Sequence, residues 1–189
     1  FVNRAASEGA ASLLITPERL MLFTNNIEAP RLEREENLGG QGWEFQVAPW
    51  EDPAALLGRE TAGLRLAADV PLPGAQDVSA EIARLRSQLT PEEGQRFREL
   101  GKSCAEAMTA AAERIEPGMR EQQVAGVLDL EVSSRSIQPI VNLIASDGRA
   151  YTYRHPLPTD KIVERYVMLV LCGRRQGLVC SLSRLVHWG

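Results

Sequence analysis

The residues of this 189-residue chain whose types could do chemistry gather in its last third. His155 stands between Arg154 and Pro156, after Tyr151 and Tyr153. An imidazole exchanges protons near neutral pH and can act as acid, base or substrate contact. A loop histidine bonded to backbone, or one suited to the turn before Pro156, would read the same way. The guanidinium groups of Arg154 and Arg184 offer paired donors to a substrate carboxylate, or to surface ion pairs. Tyr151 and Tyr153 alternate, as pocket-lining residues or as packing within a strand. Cys172 and Cys180 are candidate nucleophiles, but both stand in apolar strand patterns, where burial raises a thiol pKa and leaves it inert. The acidic run at 33–36 reads as a solvated helix face, and His187 and Trp188 carry no assignable role.

The elements that must position these groups are legible from period and punctuation. Residues 166–172 read as a strand, 173–177 as a tight turn, and 178–186 as the returning strand. A further strand is expected at 140–144. Before it, Thr90, Pro91 and Glu93 spell a capping box that opens a long helix. Its apolar face runs through Phe97, Leu100, Cys104, Met108, Ala111 and Ile115. Pro117-Gly118 breaks that helix, and a second follows over 120–133 with Val124, Val127 and Leu128 inward. Upstream, residues 11–16 and 20–24 flank Pro17-Glu18-Arg19 as a hairpin. A helix fits 28–36, closed by Gly39-Gly40. Trp43, Phe45 and Val47 alternate as a half-buried strand, a short helix starts at Pro53 with Asp52 as its N-cap, and 64–70 reads as another strand. Pro71-Leu72-Pro73-Gly74 can continue neither helix nor central strand. A short helix fits 77–89.

Composition narrows the function classes. Hydrophobic residues make up 44% and charged residues 24%, which fits a globular protein. A net charge of -4 argues against general affinity for nucleic acid or anionic membranes, both of which need a basic face. No apolar run has membrane-spanning length. The three cysteines, Cys104, Cys172 and Cys180, lack CxxC spacing and suggest neither a disulfide framework nor a zinc knuckle. A reducing cytoplasm is the expected compartment. The chain begins at Phe1, and both of its ends read as those of a fragment.

Three stretches carry a resemblance. The first is Thr24-Asn25-Asn26-Ile27-Glu28-Ala29-Pro30-Arg31. The second is Leu89-Thr90-Pro91-Glu92-Glu93 with its helix and Pro117-Gly118-Met119-Arg120-Glu121. The third is His155-Pro156-Leu157-Pro158-Thr159-Asp160, followed by an apolar strand, a glycine turn and Ser181-Leu182-Ser183-Arg184. In order and spacing the chain resembles the pita-bread peptidases, the Xaa-Pro aminopeptidase, prolidase and creatinase family. The resemblance implies an α/β (α+β) fold. A small creatinase-type N-terminal domain is expected over 1–70, with its start missing, then a linker at 71–76 and the N-terminal half of a pita-bread domain over 77–189.

Active members of that family hold two divalent metals with two aspartates from a hairpin, plus a histidine and two glutamates from later strands, and so activate a bridging water. Here the second aspartate position falls on Ser181. The first falls on Cys172 when counted from His155, or on Val170 when counted back from Ser181, which implies a shortened turn. None of these is a carboxylate, so no metal and no cofactor is expected. The resemblance makes His155 the catalytic candidate, since creatinase-like members work through a histidine without metal. Tyr153, Arg154 and Arg184 become substrate-binding candidates. The function the resemblance implies is Xaa-Pro peptidase-like handling of a peptide or small amide, in a homodimer by analogy with the family. The alternatives are a catalytically silent peptide- or protein-binding module, and a structural fragment whose exposed apolar sheet aggregates or pairs.

Overall fold

The computed structural model describes residues 9–52 and 54–189, and the chain divides into two compact units, Phe1–Gln88 and Leu89–Gly189. In the first, β1 (Ser12–Ile15) and β2 (Leu20–Asn25) form the expected antiparallel hairpin. Thr16 fixes its turn, its hydroxyl accepting from the Arg19 amide at 3.0 Å. β3 (Glu44–Ala48) pairs parallel with β2, so the connection between them crosses over, carrying α1 (Ala29–Arg34) and a 3-10 turn at Gly39–Gln41. Leu22, Leu32 and Leu38 form the core of this crossover, with Trp43 and Phe45 packed against it. The alternation expected of β3 stops there: Val47 is exposed and Ala48 is buried.

The rest of the first unit holds less core. α2 spans Ala54–Glu60, and Pro53, where its start was expected, lies outside the described residues. The strand expected over 64–70 shrinks to β4 (Ala67–Ala68), which pairs parallel with β5 (Gln76–Asp77). Leu64 and Val70 are exposed, so no packed face rewards a longer strand. Between β4 and β5, Gly74 takes a φ of 80° and the Ala75 amide donates to the Leu72 carbonyl at 3.1 Å. Residues 71–75 make the turn between β4 and β5. α3 (Ser79–Arg86) follows, its first amide bonded to Asp77 Oδ1 at 2.9 Å.

The second unit opens on the capping box. The Glu93 amide donates to Thr90 Oγ1 at 3.2 Å, and the Thr90 amide to Glu93 Oε2 at 2.8 Å. These two bonds satisfy otherwise orphaned groups at the start of α4 (Pro91–Ala112). Leu100, Cys104, Ala107, Met108 and Ala111 are fully buried along its inner face. Phe97, expected to lead that face, is 40% exposed, because it lies a turn before the core begins. Gly118, at φ 96°, turns the chain into α5 (Glu121–Ser133), which buries Val124, Leu128 and Val132.

α4 and α5 pack against one antiparallel sheet of order β6-β7-β8: Gln138–Ser146, Tyr166–Arg175 and Leu178–His187. Along β7 burial alternates strictly: Val167, Leu169 and Leu171 enter the helix-covered core, while Met168, Val170 and Cys172 on the other face stay partly exposed. The hairpin turn is tighter than expected. Only Gln176 and Gly177 lie outside the strands, at φ 50° and 80°, the positive pair that a two-residue type I′ turn requires. β7 therefore continues through Gly173 to Arg175. Tyr151, for which pocket lining and strand packing were both open, lies in a short helix, α6 (Gly148–Thr152), so the strand alternative does not apply to it.

Candidate functional site

His155 lies in the irregular segment between α6 and β7, and it is exposed. What holds that segment is a carboxylate the sequence reading passed over. Glu121, at the start of α5, is fully buried. Its Oε1 accepts from the Ser146 amide at 2.7 Å and the Ser146 hydroxyl at 2.9 Å. Its Oε2 accepts from the Thr159 amide at 3.0 Å, the Thr159 hydroxyl at 2.7 Å and the Arg149 guanidinium. A buried charge survives only when it is paired and fully bonded, as here. Burial pushes the Glu121 pKa up, but the bonds from Thr159, Arg149 and Ser146 outweigh it and hold the carboxyl at about 2. Arg149 also donates to the Leu157 carbonyl at 3.2 Å, so the His155 segment is fastened downstream at two points.

Asp147 makes a second anchor. It sits at φ 49° and ψ -127°, a positive-φ conformation outside the left-handed helical well and rare for a residue with a side chain. Its Oδ2 accepts from Lys161 Nζ at 2.9 Å and the Glu164 amide at 3.2 Å, and its Oδ1 from the Arg165 and Tyr166 amides at 3.0 Å each. Burial works against ionisation of this group, but Lys161 and the three amides prevail and lower its pKa. Between the two anchors, residues 159–163 run beside the α4–α5 connection. There the Gly118 amide donates to the Val163 carbonyl at 2.8 Å and the Glu121 amide to the Lys161 carbonyl at 3.0 Å.

The aromatic candidates cluster on this frame. Tyr151 stacks on Tyr166 with ring centroids 5.5 Å apart, and the Arg149 guanidinium lies 5.4 Å from the Tyr153 ring centroid. Arg154 is exposed, as is Arg184, whose guanidinium donates to the Ser183 carbonyl at 2.9 Å. Among the described residues, no hydrogen bond or ion pair joins Tyr153, Arg154 or Arg184 to His155.

On the hairpin, both residues reached by counting from sequence lie on β7. Cys172 is the direct partner of Ser181, and Val170 faces Ser183. The Ser181 hydroxyl donates to Cys172 Sγ at 2.9 Å. Among the described residues, no group of three or more His, Cys, Asp or Glu is placed to hold a metal ion. Cys172 and Ser181 present a thiol and a neutral hydroxyl, not the charged carboxylate oxygens that suit hard divalent ions. Also among the described residues, no helix is long and apolar enough to cross a membrane.

Glu121 is not legible from sequence because its partners Ser146, Arg149 and Thr159 lie 25, 28 and 38 residues away. The one available signal was a helix-opening glutamate directly after Arg120, which reads as ordinary first-turn acid.

No protein-family model matches the sequence, and no curated protein matches it. Solved structures do. The X-Pro aminopeptidase of Thermotoga maritima superposes with a TM-score of 0.76 at 17% identity, over 95% of this chain and 54% of that one. The prolidase of Pyrococcus horikoshii gives 0.73 at 20% identity, over 94% and 54%. The prolidase of Thermococcus sibiricus gives 0.74 at 14% identity, over 100% and 57%. The chain thus spans about half the length of these structures, and over that length its fold is that of the pita-bread peptidases.

Proposed function

We propose that this chain binds peptides or small amides as a metal-free module of the pita-bread fold, presenting His155 to its ligand. The observation that carries the reading is the hairpin: Cys172 faces Ser181, and Val170 faces Ser183, with no carboxylate at any of the four positions. The chemistry of a metal-bound hydroxide has no support from such side chains. His155 has no hydrogen-bonded carboxylate or carbonyl among the described residues, so it lacks the orienting partner that a general base uses. The Ser181 hydroxyl donates its hydrogen bond to a sulfur and not to a histidine or carboxylate base, which leaves it unactivated as a nucleophile. Binding is therefore better supported than turnover. Peptides are the ligand class because the matched structures are aminopeptidases and prolidases.

One observation favours a second reading, in which His155 carries out a reaction on such ligands without paired metals. Glu121 and Asp147 fix the segment that follows His155 through two ionised, multiply bonded carboxylates. A positioned loop of this kind suits a residue that must meet a reacting atom. Tyr153 and Arg154 then flank the ligand, and Arg184 takes its carboxylate.

The test is calorimetric titration of an alanyl-proline dipeptide into the 189-residue chain with chelator present, followed by analysis of the mixture for free amino acids. Binding that vanishes in His155→Ala, without product, supports the module. Product that depends on His155 supports the second reading. No binding of the dipeptide or of small amidino compounds would overturn both.

A further inference from the structure

Gly173 on β7 marks a place where two thiols converge. A Cβ on Gly173 would lie 2.8 Å from Cys104 Sγ, a separation no side chain tolerates, so the sulfur of α4 fills the space a larger residue would need. Cys180 is Gly173's cross-strand partner on β8. Side chains at such paired positions project from the same sheet face with Cβ atoms about 4.5–5.5 Å apart. From the helix side, a Cβ on Gly101 would lie 3.9 Å from Cys180 Sγ. Gly101 stands one turn before Cys104, on the same face of α4. Strand and helix thus bracket both sulfurs into one spot of the core, where Cys104 is fully buried and Cys180 packs against the cluster, partly exposed. Both are reduced here. Burial, and after it the neighbouring Cys180 thiol, pushes the Cys104 pKa up to about 11. The third cysteine is set apart: Cys172 precedes Gly173, so its side chain leaves the opposite face, where Ser181 is bonded to it.

We infer that Cys104 and Cys180 form a reversible disulfide that ties α4 to β8, made at the expense of a small-molecule disulfide. Cys180, the accessible partner, gives up its proton and attacks one reagent sulfur. The reagent S–S bond breaks, a first small thiolate leaves and takes that proton, and a mixed disulfide remains on Cys180. Cys104 then loses its proton and attacks Cys180 Sγ. The protein S–S bond forms, the mixed disulfide breaks, and the second small thiolate leaves with the proton. The protein loses two electrons and two protons, and the reagent becomes two thiols. The burial and high pKa of Cys104 make the second step the slower one.

The site differs from what three scattered cysteines suggest in sequence. Residues 104 and 180 are joined only by the packing of α4 on β8.

The experiment treats the folded 189-residue chain with oxidised glutathione, quenches with acid, alkylates, and maps tryptic peptides by mass. Arg174 and Arg175 separate Cys172 from Cys180, while Lys102 and Arg114 bracket Cys104, so each thiol reports separately. The expected result is a Cys104–Cys180 linked peptide pair, a protein lighter by two hydrogens, alkylated Cys172, and full reversal by dithiothreitol. Cys172→Ser should give the same link, and Cys104→Ser should stop at a glutathione adduct on Cys180. Overturning results are wild-type protein that keeps glutathione on Cys180 with Cys104 alkylated, a link through Cys172, or three unmodified thiols. Wild-type protein alone separates these outcomes, so none depends on a variant folding.

Discussion

Cys172 and Ser181 stand directly opposite each other on β7 and β8, the serine hydroxyl donating to the sulfur at 2.9 Å. The pair occupies the sheet face turned away from α4 and α5, and Ser181 is exposed. Register makes Cys172 the residue facing Ser181. An exposed neutral bond of this kind contributes little, because water replaces it at small cost. Ser181→Ala should therefore change unfolding stability by no more than about 0.5 kcal/mol, measured by urea titration. A loss above about 2 kcal/mol would show that the pair has a structural role its exposure does not suggest.

Glu121 is the opposite case. Removing its charge leaves the Ser146 amide, the Thr159 amide and the Arg149 guanidinium without their acceptor. Breaking a buried pair from one side costs about 3–5 kcal/mol. Glu121→Ala is expected in that range, and Glu121→Gln somewhat below it because an amide oxygen still accepts. Denaturant unfolding followed by circular dichroism checks both.

The same carboxyl gives a pH dependence whose sign is fixed. Its folded pKa of about 2 lies below the ordinary glutamate value of 4.5, so the folded state binds fewer protons than the unfolded state between those values. The stabilisation is complete above the unfolded pKa and is lost as pH falls toward 2. It amounts to roughly 3 kcal/mol. Asp147, also lowered, acts in the same direction. Unfolding free energy should fall steeply from pH 5 to pH 2, and the slope should be shallower in Glu121→Gln. An unchanged slope in that variant would assign the acid sensitivity elsewhere.

Gly173 tests the packing of α4 on the sheet. A methyl group there would meet Cys104 Sγ and Ile137 Cγ2, each at 2.8 Å. Both neighbours are buried and cannot swing away, so Gly173→Ala should cost about 1–3 kcal/mol through overpacking. Thermal unfolding of this variant, compared with Gly126→Ala, provides the control. A Cβ on Gly126 would meet nothing within 4 Å, and alanine favours a helix by up to about 1 kcal/mol.

How far the sequence could be read depended on the range of the interactions involved. Local chemistry was legible: the Thr90–Glu93 capping box, the Pro117-Gly118 break and the β1–β2 hairpin depend on residues a few positions apart, and each forms as expected. The alternation of β7 was legible because one face is buried and one is not. Phe97 was misjudged because periodicity shows which face of a helix is apolar but not where its neighbours end. Tyr151 stayed open between pocket lining and strand packing because a two-residue alternation also fits the short helix that Asp147 opens. The anchors of the His155 segment were invisible, since Glu121 joins Ser146, Arg149 and Thr159 only in the folded chain. Fold family, by contrast, was carried by the order of three motifs, and the superpositions at 14–20% identity agree with it.

Metal content tests most directly whether these residues can hold paired metal ions. The 189-residue chain would be incubated with manganese, zinc or cobalt, freed of excess ion, and analysed by elemental mass spectrometry beside the Cys172→Ser variant. Far less than one ion per chain is expected for each metal, unchanged by that substitution. One or two ions bound per chain would contradict it, because Cys172, Ser181 and His155 would then belong to a metal centre that this geometry does not provide.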